Sequence, residues 1–195
     1  FGIAHGAGSW SPVRLLLTGV VVAAGWGALV SFMLAVSPSS ELPGMLFWLM
    51  GDMAHARNPA VPMAILLVVV LAAVPFGRTL NILARGPQQA AALGVAVRRI
   101  EWLLHLAAAL LAATAVTVAG SIGFVGLIVP HLLRLIIGND QRVLLPASAL
   151  AGGILLVLAD TLARTLIAPE QLPVGVITAL LGVPAFLYLL HRSPA

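Results

Sequence analysis

Charged positions are so sparse along this chain that they leave a succession of long apolar runs. Residues 15–36 carry no charge, and residues 58–77 carry none either, although Pro59, Pro62 and Pro75 punctuate them. Residues 102–119 hold His105 as their one ionisable group, residues 121–138 hold His131 and Arg134, residues 143–163 hold Asp160, and residues 171–190 are uncharged. A helix needs roughly 20 mostly apolar residues to cross the hydrocarbon core of a bilayer. The pattern therefore predicts six transmembrane helices in a single all-α integral membrane domain over residues 1–195. Strands are excluded, because these Leu/Ala/Val runs lack the polar–apolar alternation of a barrel and satisfy their backbone groups as helices.

Composition sharpens the picture. Of 195 residues, 61% are hydrophobic and 8% charged, against about 25% charged in an ordinary soluble domain. All ten basic residues are arginines, and cysteine is absent. Without lysine there is no Walker-type phosphate loop and no Schiff-base chemistry; without cysteine there are no disulfides, thiol nucleophiles or thiolate metal sites. The net charge of +4 comes from scattered arginines with no basic run, which suits membrane orientation and gives no reason to expect nucleic acid. With six spans, Arg14, Arg78, Arg85, Arg98, Arg99, Arg142 and Arg192 fall on one side and Arg57 and Arg164 on the other. That bias predicts both ends in the cytoplasm. The chain starts at Phe1 with no charged region ahead of the first apolar run, so no signal peptide is read and a piece of a longer polypeptide is expected.

Two connections carry structure of their own. On the outer side, residues 41–52 contain the apolar stretch Met45-Leu46-Phe47-Trp48-Leu49-Met50, too short to cross and expected to lie at the interface or re-enter. On the inner side, residues 83–94 read as a two-turn helix with Pro87 at its first position and Gly94 just past its end. This arginine-flanked helix is either a docking element for another protein or a plain surface helix. In residues 119–131, Gly120, Gly123 and Gly126 are expected to form a small-residue face for close helix approach. Pro130 is expected to perturb the helix and free carbonyls beside His131 and Arg134.

The runs LFWLMG (46–51), LARGPQQAAALG (83–94), GSIGFVGLIVPH (120–131), DQRVLLP (140–146), LADTLAR (158–164) and LPVGVITALLGVP (172–184) follow one another in order. Together they resemble the permease subunits of ABC importers for cobalamin, haem and ferric siderophores. The resemblance implies a ten-helix permease of which this chain matches the last six, with the first four helices absent. It implies a transport subunit of the bacterial inner membrane and no enzyme: no catalytic residues, no metal and no cofactor in this chain, with ATP and magnesium on a partner. The partners implied are a second permease copy, two ATPase subunits on the cytoplasmic side, a periplasmic substrate-binding protein and membrane lipid.

Residue by residue, the resemblance places ATPase coupling on Arg85, Gly86, Pro87, Gln88, Ala90, Ala91, Leu93 and Gly94, with the small Ala90-Ala91-Ala92 surface fitting a cleft. Arg164 falls at the family's docking arginine for the binding protein. A structural pair with Asp160 is the alternative, since residues i and i+4 share a helix face. The pathway lining is expected from residues 15–36 and 171–190, with Gly175, Thr178 and Gly182 on the last span, and His55 and Arg57 stand near the outer mouth for anionic cargo. His131 and Arg134 are read as bracing their helix through carbonyls freed by Pro130, with a haem-ligand or propionate role as the alternative. His105 is read as a satisfied packing histidine. Two other classes compete: an intramembrane serine hydrolase built on Ser121, which lacks any oxyanion arrangement, and a stand-alone secondary transporter or channel. The latter calls for ionisable relays in mid-span, and four of the six runs hold no formally charged residue. The motifs do not discriminate haem, cobalamin and siderophore.

Overall fold

A computed structural model describes residues 12–54 and 58–192. Regular structure among them is helical: α1 (Pro12–Val36), α2 (Leu42–Leu49), α3 (Ala60–Ala73), α4 (Gly77–Leu83), α5 (Pro87–Ala92), α6 (Val97–Ala119), α7 (Val125–Ile137), α8 (Gln141–Thr165) and α9 (Val174–Arg192). A 3-10 turn, Val74–Phe76, joins α3 to α4. Pro75 has no N–H for the carbonyl one turn back, so the chain tightens there and then continues as helix. The result is an apolar rod of 24 residues, Ala60–Leu83.

The chain divides into two compact units, Phe1–Leu46 and Phe47–Ala195. In the first, the large side chains of α1, among them Trp26, Leu29 and Phe32, are exposed. The hydroxyls of Ser31 and Ser37 donate to the carbonyls of Gly27 and Met33. Thr114, Thr117, Thr161 and Thr165 in the second unit likewise donate one turn back along their own helices. A hydroxyl satisfied inside its helix can face hydrocarbon at little cost.

In the second unit α7, α8 and α9 pack together, α4 lies against α8, and α3 against α6. The core is small: Ala159 and Ala163 of α8 meet Val174 and Ile177 of α9, with Met53, Ile122, Leu156 and Leu172 around them. Alanines four apart let two backbones approach without a hydrophobic driving force between helices. Away from this seam the large apolar side chains point outward; Ile136 is 78% exposed while Leu144 is 1% exposed. Such an inverted surface suits contact with lipid or further helices.

Four helices are long and apolar enough to cross a membrane: Leu16–Val36, Ala60–Leu83, Val97–Ala119 and Gln141–Thr165. The expectation of six full-length helices is not confirmed at the other two runs, which form shorter apolar helices among the described residues. Helix α7 has 13 residues, a rise of about 20 Å against a core of about 30 Å. Its run loses residues 120–124 to a non-helical break in which Gly120 and Phe124 take φ of 69° and 67°, and Gly138 at φ 82° ends it. Helix α9 begins only at Val174, after Pro173, whose fixed φ and missing N–H favour a helix start. Both runs thus combine a non-helical segment with a shorter helix.

Candidate functional site

The helix expected between residues 83 and 94 is α5, and its ends follow from its sequence. Pro87 occupies the first turn, where its missing N–H leaves no bond unmade. At the other end the N–H of Gly94 donates to the Ala91 carbonyl and that of Val95 to the Ala90 carbonyl, both at 3.0 Å. This paired closure needs a left-handed residue at position 94, and Gly94 supplies it at φ 79°. One part of the expected docking surface is corrected: Ala90 is fully buried, so the surface α5 presents is Gln88, Ala91, Ala92 and Leu93, the last 69% exposed. Because α5 is one short turn from α4, burying Ala90 is what seats it on its own chain.

Beside α5 an open polar cavity of about 750 Å³ is lined by Asn81, Ala84, Arg85, Arg134, Asn139, Asp140 and Gln141. Its floor is a cross-chain hydrogen-bond set. The Asn81 amide donates Nδ2–H to Asp140 Oδ1 at 2.8 Å and accepts the Gln141 backbone N–H on Oδ1 at 2.8 Å. Asp140 caps α8, accepting the Arg142 N–H at 3.0 Å. Its carboxyl sits below the ordinary value of 3.8, chiefly because the Asn81 amide, then the Arg142 backbone N–H, stabilise the charged form. Arg85 and Arg134 stand on the same rim, so this end of the fold is the arginine-rich one.

The opposite end is a backbone junction. The Asp52 N–H donates to the Ala119 carbonyl at 3.0 Å, the Gly175 N–H to the Gly51 carbonyl at 3.2 Å, and the Leu172 N–H to the Ala163 carbonyl at 3.0 Å. A Cβ at Gly120 would collide with the Trp48 carbonyl oxygen, and one at Gly175 with the Met50 carbonyl oxygen. The segment after α2, the break between α6 and α7, and the start of α9 therefore meet with their backbones in close contact, the Ile122 side chain lying against Gly51. Of the expected small-residue face only Gly120 makes such an approach; nothing lies within 4 Å of a Cβ built at Gly123 or Gly126.

In the last turns of α8, Arg164 Nε donates to Asp160 Oδ2 at 2.8 Å, with the arginine side chain 41% and the aspartate 24% exposed. The pair forms, and it leaves the guanidinium's remaining N–H donors on an accessible side chain. On α9, Gly175 borders an open apolar cavity of about 600 Å³ with Met50, Val176, Ala179, Leu180, Val183 and Pro184. Thr178 and Gly182 lie elsewhere: Thr178 is buried with its hydroxyl donating to the Gly175 carbonyl, and a Cβ at Gly182 would run into Phe124. Gly182 is thus a close contact with Phe124 and with Ile128 of α7.

The bracing expected of His131 and Arg134 is not seen: among the described residues neither side chain bonds to a carbonyl near Pro130, which sits inside α7 without ending it. His105 is exposed, its Nδ1–H donating to the Glu101 carbonyl at 2.6 Å, so it is satisfied without being packed. His55 and Arg57 lie outside the described residues. Among the described residues no three His, Asp or Glu side chains come together as metal ligands. Sequence reasoning passed over Asn81 and Gly51. The signals were present as one amide at the end of an apolar rod and a Gly-Asp pair after a short apolar helix.

Four apolar helices long enough to cross a membrane, a short helix at an arginine-rich end and a close-packed junction at the other describe a multi-pass helical membrane protein. The FecCD transport family matches residues 1–192, and the chain belongs to it. It is 47% identical over 193 residues to the cobalamin import system permease protein BtuC of Halobacterium salinarum, covering 98% of this chain and 52% of that protein. It is 43% identical over 188 residues to the hemin transport system permease protein HmuU of Yersinia pestis, covering 95% and 56%. With the Fe(3+) dicitrate transport system permease protein FecD of Escherichia coli it shares 40% over 183 residues, covering 93% and 57%. A solved inward-facing conformation described as that of a metal-chelate type ABC transporter superposes with a TM-score of 0.85 at 34% identity, covering 94% of this chain and 60% of that one. The chain spans little more than half the length of these curated relatives.

Proposed function

We propose that this chain is the C-terminal part of a permease subunit that carries an iron chelate (ferric siderophore or haem) or cobalamin across the bacterial inner membrane, driven by ATP hydrolysed on a separate protein. The observation that carries the reading is α5. It is a short helix, started by Pro87, closed at Gly94 and seated by Ala90, at the arginine-rich end of a bundle of apolar rods, in a chain 40–47% identical to transport permeases. A rigid element of that kind transmits a push; a slack loop would absorb it.

In this reading the arginine-rich end faces the cytoplasm, and two ATPase subunits, which hold the nucleotide and magnesium, dock on α5. Two copies of the permease surround the pathway, whose wall includes the apolar face of α9 at Val176, Ala179, Leu180 and Val183. A periplasmic binding protein seats on the outer end, where Arg164 offers its free donors to a carboxylate while Asp160 holds the side chain in place. An apolar wall without charges suits a bulky cargo that must pass without being retained, leaving affinity to the soluble binding protein.

The test is ATP-dependent uptake of haem, cyanocobalamin and ferrichrome by the complete complex, full-length permease included, in proteoliposomes. Accumulation of one of the three that requires ATP, the ATPase subunit and the binding protein is the expected result. Uptake driven by a proton or sodium gradient without the ATPase would overturn the reading in favour of a secondary transporter.

A further inference from the structure

We infer that Asn81 is a positioning residue for energy coupling: its side-chain amide locks the segment that carries α5 onto the N-terminus of α8, so that displacement at the motor end reaches Arg164. The inference rests on the ATPase-docking role proposed for α5.

The chain from α4 into α5 has no slack. The N–H groups of Ala84, Arg85 and Gly86 donate to the carbonyls of Leu80, Ile82 and Leu83, and that of Ala90 to Gly86. Whatever moves α5 therefore moves α4. Helix α4 touches α8 through one face: a Cβ at Gly77 would press into the Arg142 side chain, and Asn81, one turn on, makes both bonds to the α8 terminus. Of these contacts only Asn81 resists pulling as well as pushing, because it both donates to Asp140 and accepts from Gln141. From Gln141 to Arg164 the helix is unbroken, a length of about 35 Å at 1.5 Å per residue. At its far end Ala163 is buried and its carbonyl accepts the Leu172 N–H, so α8 joins the two protein-docking ends as one strut.

The bonding pattern allows a reversal. In Asn81→Asp alone, two carboxylates meet at the position of a 2.8 Å hydrogen bond, and like charges there repel. Adding Asp140→Asn removes one of the two charges and restores the bond between the two side chains with donor and acceptor exchanged. The new carboxylate at position 81 accepts from the Gln141 N–H and from the new amide at position 140; because Oδ1 of Asp140 is also the acceptor of the Arg142 N–H, that cap bond is given up in the exchange.

The experiment measures uptake and ATP hydrolysis per assembled complex in proteoliposomes containing the full-length permease, ATPase and binding protein, using haem, cyanocobalamin and ferrichrome as probes. For Asn81→Asp we expect uptake per ATP hydrolysed to fall about tenfold or more while basal hydrolysis stays within about twofold, and Asn81→Asp with Asp140→Asn to recover part of the loss. Wild-type uptake per ATP in Asn81→Asp, equal loss of uptake and hydrolysis, or no recovery in the double variant overturns the inference. If Asn81→Asp does not assemble, Asn81→Ala, which removes both bonds without adding charge, decides: unchanged uptake per ATP refutes the coupling role and a fall of several-fold supports it. Failure of the wild-type complex to take up any probe with ATP would strike the transport reading itself, a result separate from any behaviour of the variants.

Discussion

Replacing Gly175 by alanine sets two physical effects against each other. Gly175 lies in the first turn of α9, where alanine is favoured over glycine by up to about 1 kcal/mol. Propensity alone predicts stabilisation. Against it, the new methyl group would strike the Met50 carbonyl oxygen and come within 3.1 Å of the Ser121 carbonyl oxygen. Both obstacles are backbone, which cannot swing aside as a side chain would, and overpacking of this kind costs about 1–3 kcal/mol. Separating the segments also stretches the bond from the Gly175 N–H to the Gly51 carbonyl, worth about another 1 kcal/mol. The sum is a net loss of about 1–3 kcal/mol, a fall of a few degrees in the melting temperature of the full-length protein. The assay is thermal unfolding of the full-length permease in detergent, with Gly153→Ala as reference, since nothing lies within 4 Å of a Cβ built there in α8. The reference should hold or gain. A Gly175→Ala protein melting at or above wild type would refute the backbone junction as a close-packed contact.

Three more outcomes follow from the two ends of the fold. Ala91→Glu, on the exposed face of α5, should leave the complex assembled yet cut uptake per ATP about tenfold, by placing a charge where a close fit is needed; unchanged uptake would remove α5 from the motor interface. Arg164→Glu should weaken binding-protein affinity about tenfold or more, whereas Asp160→Asn, which keeps the arginine, should stay within about threefold; titration of the binding protein onto the solubilised complex separates the two, and equal effects would mean that the pair is structural only. The Asp140 carboxyl, held below 3.8 by the Asn81 amide and the Arg142 N–H, contributes its share of the clasp fully above that value and loses it as pH falls through the lower folded value. Uptake per ATP in wild type and in Asp140→Asn should therefore run parallel from about pH 5 to pH 8; a wild-type step in that window missing from the variant would show that this carboxyl is not held low.

What could be read from the sequence divides by the range of the interaction. The helical class, the short capped helix and the Asp160–Arg164 pair are local: apolar length, Pro87 and Gly94 at the ends, and four-residue spacing each act within one or two turns. The length of α7 was not local in that sense. Residues 120–124 carry no charge and continue the apolar run, and what holds them out of the helix is the approach of Gly120 to the Trp48 carbonyl, some seventy residues away in the chain. Gly182 shows the same limit. It stands seven residues from Gly175, which marks one face of a helix, yet Gly175 borders the open cavity while a Cβ at Gly182 would meet Phe124 and Ile128.

The same distinction explains why the polar residues that matter lie at helix ends. Inside the rods, hydroxyls bond back to their own helices and so specify nothing about neighbours. A side chain can register one helix against another only where backbone donors are left unsatisfied, and that is the first turn. The first turn of α8 is such a place: it offers its N–H groups to Asp140 and, through Gln141, to Asn81. In a fold whose helices meet on small apolar contacts, the two Asn81 bonds tie α4 to the first turn of α8. The seam of Ala159 and Ala163 then keeps the other end of α8 in step with α9, which places the arginine-rich end and Arg164 on one mechanical line.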